Sequence, residues 1–273
     1  MLWRNRRMSG NVVDRRSMGG PMGIGGLLIG AVIYFLMGGN PAVYLAQNAG
    51  SVQRQEATPA QDDQKKFVSV VLADTEDVWN SVFRSNGLRY NEPQLVLFNG
   101  MVQSACGRAT SAVGPFYCPT DKKVYLDLSF FRQLEGTLGA EGDFAAAYVI
   151  AHEVGHHVQN LLGVADTFND RAQGMDENGR NRMSVRMELQ ADCLAGVWAS
   201  QTDRMNKILE AGDIQEAMNA ATAVGDDRLQ KASRGEVVPD SFTHGSSEQR
   251  MTAFKRGHEK SDPQVCLNSY SFQ

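Results

Sequence analysis

Ile150-Ala-His-Glu-Val-Gly-His-His-Val-Gln159 is the stretch from which this chain is best read. It lies inside a helical pattern, Asp143 to Leu162, in which Phe144, Tyr148, Val149, Val158 and Leu161 supply the apolar positions. Asp143 can cap the start of that helix, and Gly163 stops it. His152 and His156 stand at i and i+4 and share a helix face, so both imidazoles can reach one metal ion. Glu153 is turned about 100° from His152, which sets it beside the metal, where it can take a proton from metal-activated water.

A hydrolytic zinc site takes three protein ligands and keeps a fourth position open for water. The extended pattern with a third histidine on the same segment is absent, because Gln159 and Leu162 stand where glycine and histidine would be required. A second helical pattern, from about Met183 to Ser200, contains Met187-Glu-Leu-Gln-Ala-Asp192. Glu188 completes a His₂Glu set, and Asp192, one turn further, can hydrogen-bond a ligand imidazole from behind. The expected site is therefore Zn²⁺ on His152, His156 and Glu188, with Glu153 as general base. His157 points about 100° away from His156, behind the site or at the surface. His258, among Lys255, Arg256, Glu259 and Lys260, reads as part of a solvated helix face.

Working outward, apolar residues from Phe67 to Phe83 fall at helical spacing, with Asp62 or Asp63 as cap and Gly87 as stop. Gln94–Phe98 and Lys123–Leu128 read as strands, and further helical patterns cover 203–232. The expectation is one α+β domain over 65–273, preceded by a flexible linker at 46–64 that lacks large apolar side chains. The four cysteines, at 106, 118, 193 and 266, favour disulfides outside the cytosol. Cys106 with Cys118 is the preferred pair, leaving Cys193 with Cys266, although three connectivities are open.

The 273 residues, 42 % apolar and 21 % charged, exclude a collagen-like repeat, wholesale disorder and a multi-pass transporter. A net charge of −4 gives no case for nucleic-acid binding. Residues 1–16 nevertheless hold five arginines against Asp14 alone, a local +4 that leaves −8 on the rest. No charged residue occurs from Ser17 to Gln53, and the apolar run Ile24 to Leu45, 22 residues, can cross a hydrocarbon core of about 30 Å. These features predict a basic cytoplasmic N-terminus over 1–21 and a single transmembrane helix over 22–45. The domain would then lie outside the inner membrane, in the periplasm or beyond.

Several segments together resemble the zincin superfamily in its branch with a glutamate third ligand, and within it the bacterial neutral zinc metallopeptidases. They are Cys106-Gly107, Gly114-Pro-Phe-Tyr-Cys-Pro119, Val124-Tyr-Leu-Asp127, Phe130-Phe131, the 150–159 block and Glu188-Leu-Gln-Ala-Asp192. The resemblance spans nearly the whole chain, the N-terminal anchor included. It implies a zincin-like fold, a membrane-anchored metalloendopeptidase and a protein or peptide substrate. It also implies that an edge strand near Val124–Leu128 pairs with extended substrate. Thr243-His-Gly-Ser-Ser-Glu-Gln-Arg250 is similar to a histidine–arginine stretch of membrane-bound zincin peptidases, although a proline usually stands there in place of Gly245. From it His244 is expected to donate to the oxyanion, and Arg250 to orient His244 or pair with a helix end. Two other readings stay open: a zinc-binding but non-proteolytic envelope assembly or partner protein, and an amidase of cell-wall peptides. The intact Glu153 argues against the first, since binding alone needs no general base.

Overall fold

Apolar residues at helical spacing behind Pro59 produce α1 (Pro59–Ser85), 27 residues long, which buries Phe67, Val71, Leu72, Val78, Trp79 and Phe83. In the computed structural model, residues 1–16, 34, 40–43 and 59–272 are described. Helix α1 begins inside the stretch read as a linker and ends before Gly87, whose φ of +70° suits glycine.

A four-stranded sheet follows the order β1-β2-β6-β5, with β1 (Val12–Asp14), β2 (Gln94–Phe98), β5 (Phe116–Cys118) and β6 (Lys123–Asp127). β1, β2 and β6 run parallel, and β5 is antiparallel to β6. The apolar runs of β2 and β6 do not alternate because both strands are buried on both faces, as parallel strands usually are. β6 is thus an inner strand, and the edge position expected for Val124–Leu128 belongs to β5. A hairpin of β3 (Met101–Ser104) and β4 (Gly107–Thr110) is tied to β5 by the Cys106–Cys118 disulfide.

After the sheet the chain is helical: α2 (Ser129–Glu135), α3 (Asp143–Leu161), α4 (Val164–Ala172), α5 (Glu177–Asn206), α6 (Asp213–Ala223), α7 (Asp226–Arg234), α8 (Ser247–Lys260) and α9 (Pro263–Ser269). Helix α3 is central and almost wholly buried between α5, α6, α1 and the sheet. Helices α5 and α8 touch backbone to backbone, since a Cβ on Gly257 would stand 1.8 Å from the Cys193 carbonyl oxygen. The Cys193–Cys266 disulfide then joins α5 to α9, so all four cysteines are paired as preferred above.

Two expectations are corrected. The fold is mostly helical with a small sheet, not the α+β domain expected over 65–273, because the helical patterns from Asp143 to Ser269 far outweigh the short strands. The expected single N-terminal transmembrane helix is not what the structure shows. No helix among the described residues is long and apolar enough to cross a membrane, and most of the 22–45 run lies outside those residues. Four of the five arginines that read as a topology signal have ion-pair partners among the described residues. Arg6 makes two 2.6 Å bonds to Asp74, Arg7 pairs with Glu76 and Asp77, Arg4 with Asp63, and Arg16 with Asp14. Arg16 Nη1 also donates to the Gln61 carbonyl at 3.1 Å, beside the start of α1. The Met1 amine pairs with Asp143 at 2.6 Å and Asp213 at 3.2 Å. Arg4, Arg6, Arg7 and the Met1 amine are therefore paired with carboxylates of the body that they precede.

Candidate metal centre

Helix α3 places His152 and His156 on one face with their Nε2 atoms 3.2 Å apart. Glu188, on α5, brings Oε2 to 3.1 Å from His152 Nε2 and Oε1 to 3.4 Å from His156 Nε2. The two helices meet this closely because Gly155 faces α5, where a Cβ would stand 3.0 Å from the Ala191 carbonyl oxygen. The three residues thus form one cluster whose ligand atoms all lie within 4.8 Å of one another.

The surroundings decide which atoms are free. His152 Nδ1 lies 2.7 Å from Oδ1 of Asp192, a fully buried carboxylate. Asp192 also accepts from the Tyr148 hydroxyl at 2.5 Å, and from Nε and Nη2 of Arg250 at 2.8 and 2.9 Å. His156 Nδ1 lies 2.8 Å from Gln159 Oε1. With both Nδ1 atoms donating, the facing Nε2 atoms carry lone pairs, and the Glu188 carboxylate adds negative charge beside them. Three acceptors converging with no donor between them repel unless a cation stands among them, and an N₂O donor set suits zinc.

Electrostatics without a metal agree. Burial alone would lower the pKa of His152, but the adjoining Asp192 outweighs it and raises the pKa to about 10. His156 is likewise raised against burial, by Glu188. Although burial opposes it, the two imidazoles hold Glu188 well below the usual carboxylate range.

Glu153, buried, lines the same cavity of about 490 Å³ as His152, His156, Glu188 and His244. His244 is held by Asp226, whose Oδ2 accepts from the backbone N–H groups of Thr243, His244 and Gly245 at 2.8, 2.7 and 3.0 Å. Asp226 Oδ1 stands 3.3 Å from His244 Nδ1, and that carboxylate raises the imidazole pKa. Gly245 has φ +97°, which a proline cannot adopt, so the departure from the resembled pattern follows from the turn itself. Ser246 then caps α8 with a capping box to Gln249.

Other expected residues fall elsewhere. Arg250 does not orient His244: it is buried under the site, on Asp192, with Nη2 also 3.3 Å from the Tyr148 hydroxyl. His157 lies behind α3, with Nδ1 2.9 Å from the Tyr117 hydroxyl and Nε2 2.6 Å from the Asn91 carbonyl oxygen. Burial lowers its pKa to about 4. His258 is half-buried and stacked on Phe254 rather than fully solvated. Tyr148, Gln159 and Asp226 escaped sequence reading as parts of the site. Tyr148 stands one helical turn before His152 and Gln159 three residues after His156, and both spacings could have found them. Asp226 had no such signal.

A family model described as "Putative neutral zinc metallopeptidase" matches residues 1–270, and the chain belongs to that family, whose cofactor is zinc. It is similar to "Uncharacterized protein YpfJ" of Escherichia coli (strain K12), 49 % identical over 283 aligned positions that cover 97 % of this chain and 98 % of the relative. "Uncharacterized protein Rv2575" of Mycobacterium tuberculosis is 43 % identical over 214 positions, covering 75 % of this chain and 71 % of the relative. No solved structure matches the chain.

Proposed function

We propose that this protein is a zinc-dependent peptidase that hydrolyses peptide bonds with Glu153 as general base, the metal being held by His152, His156 and Glu188. The observation that carries this reading is the convergence of two Nε2 atoms and a carboxylate beside Glu153 in one open cavity. Bound there, zinc supplies a Lewis acid that makes water a nucleophile near neutral pH and polarises a carbonyl. Glu153 accepts a proton from the attacking water and later delivers it to the departing amine. Asp192, braced by Arg250 and Tyr148, fixes the tautomer and orientation of His152. His244 is favoured in its protonated form by Asp226, so that with Nδ1–H turned to that carboxylate its second N–H, on Nε2, is available to donate to the oxyanion from the cavity wall.

Strand β5 supports binding of extended peptide. Its Phe116 and Tyr117 line the cavity, and among the described residues β5 pairs with β6 alone, leaving its other edge for a substrate strand. The two disulfides favour work in an oxidising compartment outside the cytosol. Chelation followed by metal restoration tests the reading. Hydrolysis of an unfolded protein should stop on zinc removal and return with about one zinc per chain, whereas hydrolysis that persists in metal-free protein contradicts it.

A further inference from the structure

Gln159 is fully buried and sits one turn beyond His156 on α3, facing the turn of α5 that carries Glu188. Its Nε2 donates twice, to the Met187 carbonyl at 2.8 Å and to Gln190 Oε1 at 2.9 Å. With both amide protons committed, the orientation of the side chain is set, and Oε1 can only accept. The group it accepts from is His156 Nδ1–H, at 2.8 Å. Gln190, itself buried, and the Met187 carbonyl both belong to α5, and Met187 adjoins Glu188 in sequence. One amide therefore touches a ligand imidazole on one helix and the backbone next to the third ligand on the other.

We propose that Gln159 is the positioning residue of the metal centre: it locks His156 in the tautomer that presents Nε2 and holds the two ligand-bearing helices in register. This rests on the proposed ligand set of His152, His156 and Glu188. His152 and His156 are then braced by unlike groups. A charged, arginine-backed carboxylate stands behind the first, and a neutral amide behind the second. A hydrocarbon of similar size at 159 would strand two buried polar groups, the His156 N–H and the Gln190 amide oxygen, and would take from the Met187 carbonyl the donor it has beyond its helix bond. A glutamate would keep the acceptor for His156 and lose the two donors to α5.

Zinc affinity, measured by competition with a chelator, separates these roles. Gln159→Leu should bind zinc about 10- to 100-fold more weakly than wild type. Gln159→Glu should bind within about threefold of wild type but unfold at a lower temperature, because an acceptor suffices for the tautomer and the bracing of α5 needs the donors. Gln190→Leu should lower the unfolding temperature and leave zinc affinity nearly unchanged. His156→Ala serves as the control. If it retains zinc, the ligand set fails; if it loses zinc while folded Gln159→Leu binds at wild-type strength, the Gln159 role alone is overturned. Should Gln159→Leu not fold, the nitrogen resonances of His156 in zinc-loaded wild type decide: a protonated Nδ1 supports the proposal, and metal on Nδ1 overturns it.

Discussion

At the scale of single residues, the site separates groups that meet the substrate from groups that hold those groups still. His244 is placed with the first. If its Nε2–H reaches the oxyanion, His244→Ala should cost about a hundredfold in kcat, with KM, zinc content and melting temperature nearly unchanged. Unchanged turnover in folded, zinc-loaded protein would remove it from the site. His157 is its opposite, a buried imidazole that must stay neutral. Its pKa is about 4 in the folded protein and near 6.5 unfolded, so between those values the unfolded chain binds more protons. Its contribution, about 3 kcal/mol, is complete above pH 6.5 and fades as pH falls towards 4. Urea midpoints across that range should fall more steeply for wild type than for His157→Phe; identical slopes would show that His157 is not held neutral.

At the scale of elements, α3 and α5 build the metal centre and glycines set their neighbours' distance. Gly257→Ala drives a methyl group into the Cys193 carbonyl and should destabilise the fold by about 3 kcal/mol, read as a lowered unfolding temperature. Removing the Cys193–Cys266 bridge, which closes a separation of 73 residues, should cost about 4 kcal/mol in thermal or urea unfolding. Helix α3 was legible because its apolar spacing, its two histidines at i and i+4, and Gly163 all agree. Glu188 and Asp192 were legible because they share a turn-long spacing on a second helix. The inner position of β6 was not, since a buried run reads alike in the centre or at the edge of a sheet. Asp226 was equally silent: nothing in its neighbourhood announces three backbone N–H groups arriving from a loop 17 to 19 residues away.

At the scale of the whole molecule, the first 16 residues belong to the domain. β1 extends the sheet, and the arginines of the N-terminal arm meet carboxylates of α1. A charge count along the chain could not distinguish arginines waiting for a membrane from arginines waiting for Asp74 and Glu76, because those partners lie 68 and 69 positions downstream. Arg6→Ala should therefore destabilise the fold by about 3 kcal/mol, leaving Asp74 buried without its partner. A fragment starting at residue 65 should fail to unfold cooperatively. Full-length stability in that fragment would show the arm to be dispensable.

The central claim is that the α3 and α5 cluster holds zinc while Glu153 performs the proton transfer. Paired measurement of zinc content and peptide hydrolysis on Glu153→Gln tests it most directly. The account predicts about one zinc per chain, a wild-type unfolding temperature and loss of hydrolysis by at least a hundredfold. Hydrolysis at the wild-type rate by the zinc-loaded variant would contradict it.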